Sequence, residues 1–186
     1  MNNHHQNEKT ISRRFFLKAG LATAGSLQFS LLAPTLGRAS KTHFNAGAYI
    51  RILPDNSIVI TIGQSEMGQG SLTGMAQIIA EELDANWDQV TVLKGGFGAD
   101  FFRPQAPIQV TGGSGSIRSF YTPLRQAGAA AKQAFITAAA KKWNVKADVL
   151  QTDNGEVLHP DGRRSTYGDL IPIAIRSDLP DLSVVP

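Results

Sequence analysis

Residues 48–71 read AYIRILPDNSIVITIGQSEMGQGS. Apolar residues alternate on either side of Pro54-Asp55-Asn56-Ser57. These four suit a turn: proline presets φ, and Asp and Asn side chains bond their own backbone. The stretch therefore predicts a β-hairpin whose second strand runs straight into a loop at Gly63. That loop, GQSEMGQGS (63–71), carries three glycines among two glutamines, one acid and one methionine. A connection that only turned would need one or two glycines and would ask nothing of their neighbours. Glycines spread along a polar run indicate a backbone that something approaches closely.

Working outward, the apolar period changes to 3.6 from Ser71. Leu72, Met75, Ala76, Ile79 and Leu83 share one helical face, with Glu81, Glu82 and Asp84 toward the other. QVTVLKG (89–95) reads as a short strand, followed by the long loop GGFGADFFRPQAPIQVTGGSGS (95–116). A helix is predicted over 120–143. Leu124, Ala131 and Phe135 form its apolar stripe, and Ala127-Gly128 with Ala129–Ala131 give it a smooth surface for close packing. In LQTDNGEVLHP (150–160), Asn154-Gly155 marks a two-residue hairpin, and STYGDL (165–170) starts another short helix. The aromatic residues Trp87, Phe101, Phe102 and Trp143 read as core. No repeat interrupts the pattern, which predicts an α+β fold of mixed strand and helix layers. The chain ends at SDLPDLSVVP (177–186) with no closing element, so it is expected to be part of a larger fold.

The first 39 residues have a different character. Ser12-Arg13-Arg14-Phe15-Phe16-Leu17-Lys18 fits a twin-arginine export signal, a moderately apolar stretch follows, and Gly37-Arg38-Ala39 offers small residues for cleavage after Ala39. The expectation is export through the twin-arginine translocase to the periplasm, or to the periplasmic face of the inner membrane. Residues 1–39 hold five basic residues and one acid, a net of +4 against +3 for the whole chain, so residues 40–186 carry −1. The high pI thus belongs to the targeting segment and gives no support to a nucleic-acid surface. There is no cysteine, which excludes disulfides and cysteine-ligated iron–sulfur clusters on this chain. The histidines, His4, His5, His43 and His159, lack metal-ligand spacing, so no metal held by protein side chains is expected.

Two glycine-rich loops remain, 63–71 and TGGSGS (111–116), each before a predicted helix. Backbone N–H groups at a helix N-terminus, with hydroxyls beside them, can hold a phosphate or another acceptor-rich group without a formal charge. Neither loop is a Walker loop, since no Lys-Ser/Thr follows. Neither matches the G-x-G-x-x-G dinucleotide fingerprint. From the residues alone, simple strand-to-helix connections explain them equally well.

Glu66-Met67-Gly68-Gln69-Gly70, with TGGSGS some forty residues on and then LRQAGAAAK (124–132), resembles the molybdopterin-binding subunit of the xanthine dehydrogenase/aldehyde oxidase family. The isoquinoline 1-oxidoreductase β-subunit branch is the nearer likeness. The resemblance spans about residues 46–170. It implies a molybdenum–pterin cofactor, in a dinucleotide form, contacted by Met67, Gly68, Gln69 and Gly70, with Gly113, Ser114, Gly115 and Ser116 gripping its phosphate side. It also implies hydroxylation of aldehydes or aromatic N-heterocycles with water as the oxygen source, and electrons leaving through iron–sulfur clusters on a partner subunit. KGGFG (94–98) is similar to a family loop near the metal but stands in a different place, and reads as an unrelated turn. Glu66 reads as an internal hydrogen-bond partner that fixes the loop. The family's general base, a glutamate in a G-x-G-E-type motif, has no counterpart here, because Gly155-Glu156 belongs to the hairpin. No catalytic residue is assigned. The resemblance implies the N-terminal portion of such a subunit, a truncated subunit or a split-gene piece with the rest on a second chain, and little or no activity alone is expected. The alternative is a truncated remnant, or a small exported binding module without cofactor.

Overall fold

A computed structural model describes residues 43–176. The twin-arginine stretch and the cleavage site at Ala39 lie outside the described residues. Strands β1 (Phe44–Ala46), β2 (Ile50–Ile52) and β3 (Ile58–Ile62) form an antiparallel meander. The predicted hairpin is its second half; β1 was not read from the sequence. Helix α1 (Ser71–Glu82) then returns the chain so that β4 (Val90–Lys94) pairs parallel to β3, with Ile58 opposite Val90 and Ile62 opposite Lys94. A parallel neighbour needs such a crossover, because a tight turn would reverse the strand.

Alternation along β3 decides which face is covered. Ile58, Ile60 and Ile62 are fully buried, together with Ile50 and Ile52 of β2. Met75, Ala76 and Ile79 of α1 join them in one core. At 12 residues, α1 is too short to hold its conformation in water by propensity alone, so this packing is what stabilises it.

Helix α2 spans Gly115–Trp143, beginning five residues before the sequence expectation of 120. Gly113 and Ser114, both left-handed (φ 59 and 50), turn the chain into the helix axis. No Ser, Thr or Asp side chain caps the first turn, so the usual start signal is missing. Pro123 lies inside the helix. It removes one N–H without ending the helix, which Leu124, Ala131 and Phe135 anchor at 0 % exposure. The Phe135 ring lies 4.7 Å from Phe44 and stacks 4.5 Å from Tyr167.

α1 follows β3 and α2 follows β4 after the segment 95–114, and the contacts between them show that the two helices run side by side in the same direction. Gly74 lies beside Ile117, and a β-carbon on Gly128 would stand 2.7 Å from the Ile79 carbonyl oxygen. The small residues of α2 are therefore what lets the helices approach. Beyond them, β5 (Gln151–Asp153), β6 (Glu156–Leu158) and β7 (Arg164–Thr166) form a second antiparallel sheet, with α3 (Tyr167–Ala174) following. The Asn154-Gly155 turn joins β5 to β6 with both residues left-handed, as the sequence predicts. Thr166 caps α3 by accepting from the Asp169 N–H at 3.1 Å. The fold is α+β, in mixed strand and helix layers. Of the four aromatics read as core, Phe101 is buried and Phe102 and Trp143 are half-buried. Trp87 is 40 % exposed, because it sits on a single 3-10 turn between α1 and β4.

Candidate functional site

Open α/β sheets bind ligands at the carboxyl ends of parallel strands, where connections lead into helix N-termini. Here β3 and β4 are the parallel pair, and the segments that leave their carboxyl ends, 63–70 and 95–114, carry the two glycine-rich loops, the second at its far end. The Ser65 N–H donates to Thr111 Oγ1 at 2.8 Å. The loops therefore meet, and they bring Met67–Gly70 and Gly113–Ser116 to one edge of the molecule.

The first loop is built around Glu66. One carboxylate oxygen accepts from the N–H groups of Gly68 (2.8 Å) and Gly70 (2.9 Å), and the other from Leu72 (3.0 Å) in the first turn of α1. These bonds, with Leu72 foremost and Gly70 next, hold the Glu66 carboxyl below the ordinary glutamate range. Glu66 is thus the internal partner that the sequence suggested. Gln69 is equally occupied. Its Oε1 accepts from the Met67 N–H at 2.6 Å, and its Nε2 donates to the Ser65 carbonyl and to Ser71 Oγ at 2.9 and 2.8 Å. What the loop leaves open is its outer surface. Met67 is 70 % exposed, and Gly68 and Gly70, at φ 93 and 74, have no atom of the described residues within 4 Å of where a β-carbon would stand.

The second loop is organised differently. Among the described residues, Gly112 and Gly113 also have no neighbour where a β-carbon would stand, but no carboxylate enters the loop. The first turn of α2 holds no acid, and Ser114 makes no side-chain cap. The partial positive charge at the helix start is therefore not neutralised from within. Gly115 and Ser116 are buried beneath it.

Three side chains that sequence reasoning missed set the spacing of these loops. Gln109 Nε2 donates to the carbonyls of Gly63 (2.6 Å) and Gly96 (3.0 Å), while its Oε1 accepts from the Gly98 N–H at 3.0 Å. Thr111 supplies the seam bond already described. Arg103 Nη2 donates to the Gly112 carbonyl at 2.8 Å. The signal was present in PIQVT (107–111), where the alternation is inverted: Ile108 and Val110 are 48 % and 40 % exposed, whereas Gln109 and Thr111 turn inward. KGGFG is a turn after β4. Gly95 in it admits the Phe101 ring, and Phe97 is exposed. Among the described residues, no group of three His, Cys, Asp or Glu side chains could hold a metal ion. Likewise no described helix is long and apolar enough to cross a membrane.

The comparisons with known proteins fit this geometry. Residues 2–184 match the molybdopterin cofactor-binding domain family. The chain is 36 % identical over 170 residues to isoquinoline 1-oxidoreductase subunit beta of Brevundimonas diminuta, covering 87 % of this chain and 22 % of that subunit. It thus spans about a fifth of the length of that relative. Among solved structures, quinoline 2-oxidoreductase from Pseudomonas putida 86 aligns over 72 % of this chain and 17 % of its own, at TM-score 0.51 and 17 % identity. Reconstituted CO dehydrogenase from Oligotropha carboxidovorans aligns over 82 % of this chain and 22 % of its own, at TM-score 0.51 and 21 % identity. These two likenesses show a shared fold. With the family match across nearly its whole length, this chain belongs to the molybdopterin cofactor-binding domain family.

Proposed function

We propose that this chain supplies pterin-binding loops to a molybdenum hydroxylase, an oxidoreductase acting on aldehydes or aromatic N-heterocycles. One observation carries the reading. Two helices start side by side at the carboxyl ends of parallel strands, with bare glycine backbone on both loops and no internal acid at the start of α2. That arrangement suits a ligand with a flat ring system and a phosphate. Gly68 and Gly70 present backbone that no side chain shields, and Met67 offers a polarisable apolar side chain beside it. Gly113, Ser114, Gly115 and Ser116 surround the α2 N-terminus, where a phosphate oxygen finds N–H donors. When bound, the molybdenum–pterin cofactor would supply the redox chemistry that puts an oxygen from water onto an electron-poor carbon.

The residues of this chain hold and orient; none is assigned as the general base. In this reading the base and the rest of the cleft lie on polypeptide other than residues 1–186. Electrons pass to a partner subunit bearing iron–sulfur clusters, and the chain alone turns over little or no substrate. We further infer a dinucleotide form of the cofactor and a periplasmic location reached by the twin-arginine route. The self-contained bonding of Gln69 favours a second reading, an exported module that has kept the loops without the cofactor.

Molybdenum analysis of the native species carrying these residues separates the two. About one molybdenum per copy, with a released pterin and nucleotide, supports the hydroxylase. A native species without molybdenum or pterin overturns it in favour of the second reading.

A further inference from the structure

Two buried side-chain polar atoms lack a partner among the described residues, Gln64 Oε1 and Arg103 Nε. Both belong to the seam between the glycine loops. Gln64, 1 % exposed, opens the first loop and donates through Nε2 to the Phe101 carbonyl at 3.3 Å. Arg103, two residues further on, reaches the second loop through Gly112. Buried polar atoms are rarely left unpaired, and a buried donor without a protein acceptor is placed to bond a water or a bound ion.

Arg103 has further properties that suit such an acceptor. Its guanidinium lies against Gly115, where a β-carbon would stand 2.3 Å from Nη2 and 2.6 Å from Cζ. The glycine at the first helical position therefore makes room for the cation directly under the α2 N-terminus. The acids that do take part in ion pairs bind Arg125, Lys132, His159, Arg163 and Arg164. Arg103 instead donates to a backbone carbonyl, that of Gly112. A planar, permanently charged fork beside a helix start that no side chain caps matches the geometry of a phosphate or pyrophosphate.

The geometry points to Arg103 as a phosphate-binding residue: its guanidinium, cradled by Gly115, pairs with the phosphate end of a ligand seated at the start of α2. This rests on the reading of that helix start as the phosphate side of a cofactor site. It adds a charged contact where the glycines and serines offer only neutral donors. Arg103 then sets how tightly the anionic end is held, while Met67 to Gly70 face the ring.

The test is titration calorimetry of the full chain with inorganic pyrophosphate, with thermal unfolding in its absence as the check on folding. Wild type is expected to bind. Arg103→Gln is expected to bind roughly ten- to hundred-fold more weakly, the usual span for losing a charge-assisted hydrogen bond. Arg103→Lys keeps the charge without the fork and should recover part of the loss. Gly115→Ala places a methyl group where the guanidinium lies. Since the end of an arginine moves aside cheaply, the helix should stay intact while binding weakens as in Arg103→Gln. Should Arg103→Gln fail to fold, the lysine and Gly115→Ala arms decide. Equal affinity in wild type and all three variants overturns the proposal, as does a folded wild type that binds no pyrophosphate. Molybdenum analysis reads the proposed function separately. Pyrophosphate binding that depends on Arg103 in a molybdenum-free protein would keep this anion site and sink the hydroxylase reading.

Discussion

The two glycine loops look alike in the sequence and differ in the fold. The loop 63–71 closes on itself: Glu66 accepts three backbone N–H groups, and the Gln69 amide bonds at both ends within the same segment. The loop 111–116 has no acid and leaves its helix start uncapped. A loop that has satisfied its own donors can offer shape and surface. A loop that has not can offer charge. Glycine content alone does not tell an anion site from a shaped platform; what tells them apart is where the nearest carboxylate goes.

If the carboxyl ends of β3 and β4 act as one edge, breaking the residue packed between them should cost most. Phe101, 9 % exposed, fills the space over Gly63 and Gly95 and meets Tyr49 edge-on at 5.6 Å. Phe101→Ala is expected to cost about 3 kcal/mol, measured by urea unfolding. A loss below about 1 kcal/mol, the scale of a single hydrogen bond, would mean that the seam bonds hold the loops without the ring.

Gly128→Ala tests whether the helices carrying the two loops are held at close approach. Alanine would favour the helix by about 1 kcal/mol. Its β-carbon, however, falls 2.7 Å from the Ile79 carbonyl oxygen and 2.9 Å from Glu82 Cβ. Overpacking of this kind costs about 1–3 kcal/mol, so a net loss of stability is expected in thermal unfolding. A raised melting temperature would show the spacing to be loose.

Thr111→Val removes the hydroxyl that accepts from the Ser65 N–H and keeps the side-chain shape. About 1 kcal/mol should be lost, with faster amide exchange at Ser65. Unchanged exchange there would show that the two loops are positioned independently of each other.

The smallest global effect, and the sharpest contrast, concerns acid. The folded loop holds Glu66 below its ordinary value of 4.5. The stabilisation it gives is complete above that value and is lost as pH falls through the lowered one. Protection factors of the Gly68, Gly70 and Leu72 amides, taken against the intrinsic exchange rate at each pH, should therefore fall on acidification, while those of Gly113 to Ser116 stay unchanged. Glu66→Gln should remove the pH dependence. Equal acid sensitivity in both loops would erase the distinction drawn between them.

Much of this was legible beforehand. Strand alternation in IRI and IVITI, the helical period from Leu72 to Leu83, and the Asn154-Gly155 turn are local patterns, and local patterns survive into the fold. The start of α2 was not, because its signal is two successive left-handed residues with no capping side chain. Gln109, Thr111 and Arg103 were not either. The alternation of PIQVT could have marked Gln109 and Thr111 as inward-facing, but nothing there or around Arg103 says which carbonyl or amide will lie opposite.

By itself the sequence determined the element types apart from β1 and β7, the glycine loops, the absence of cysteine, the charge asymmetry of the first 39 residues and the family resemblance. These depend on residue type and spacing along the chain. The tertiary structure decided that β4 pairs parallel to β3, and hence that two helices begin side by side. It also decided that Glu66 closes one start while Arg103 lies under the other. Those outcomes depend on which backbone donors and acceptors the packed core brings within bonding distance, and only the folded chain fixes that.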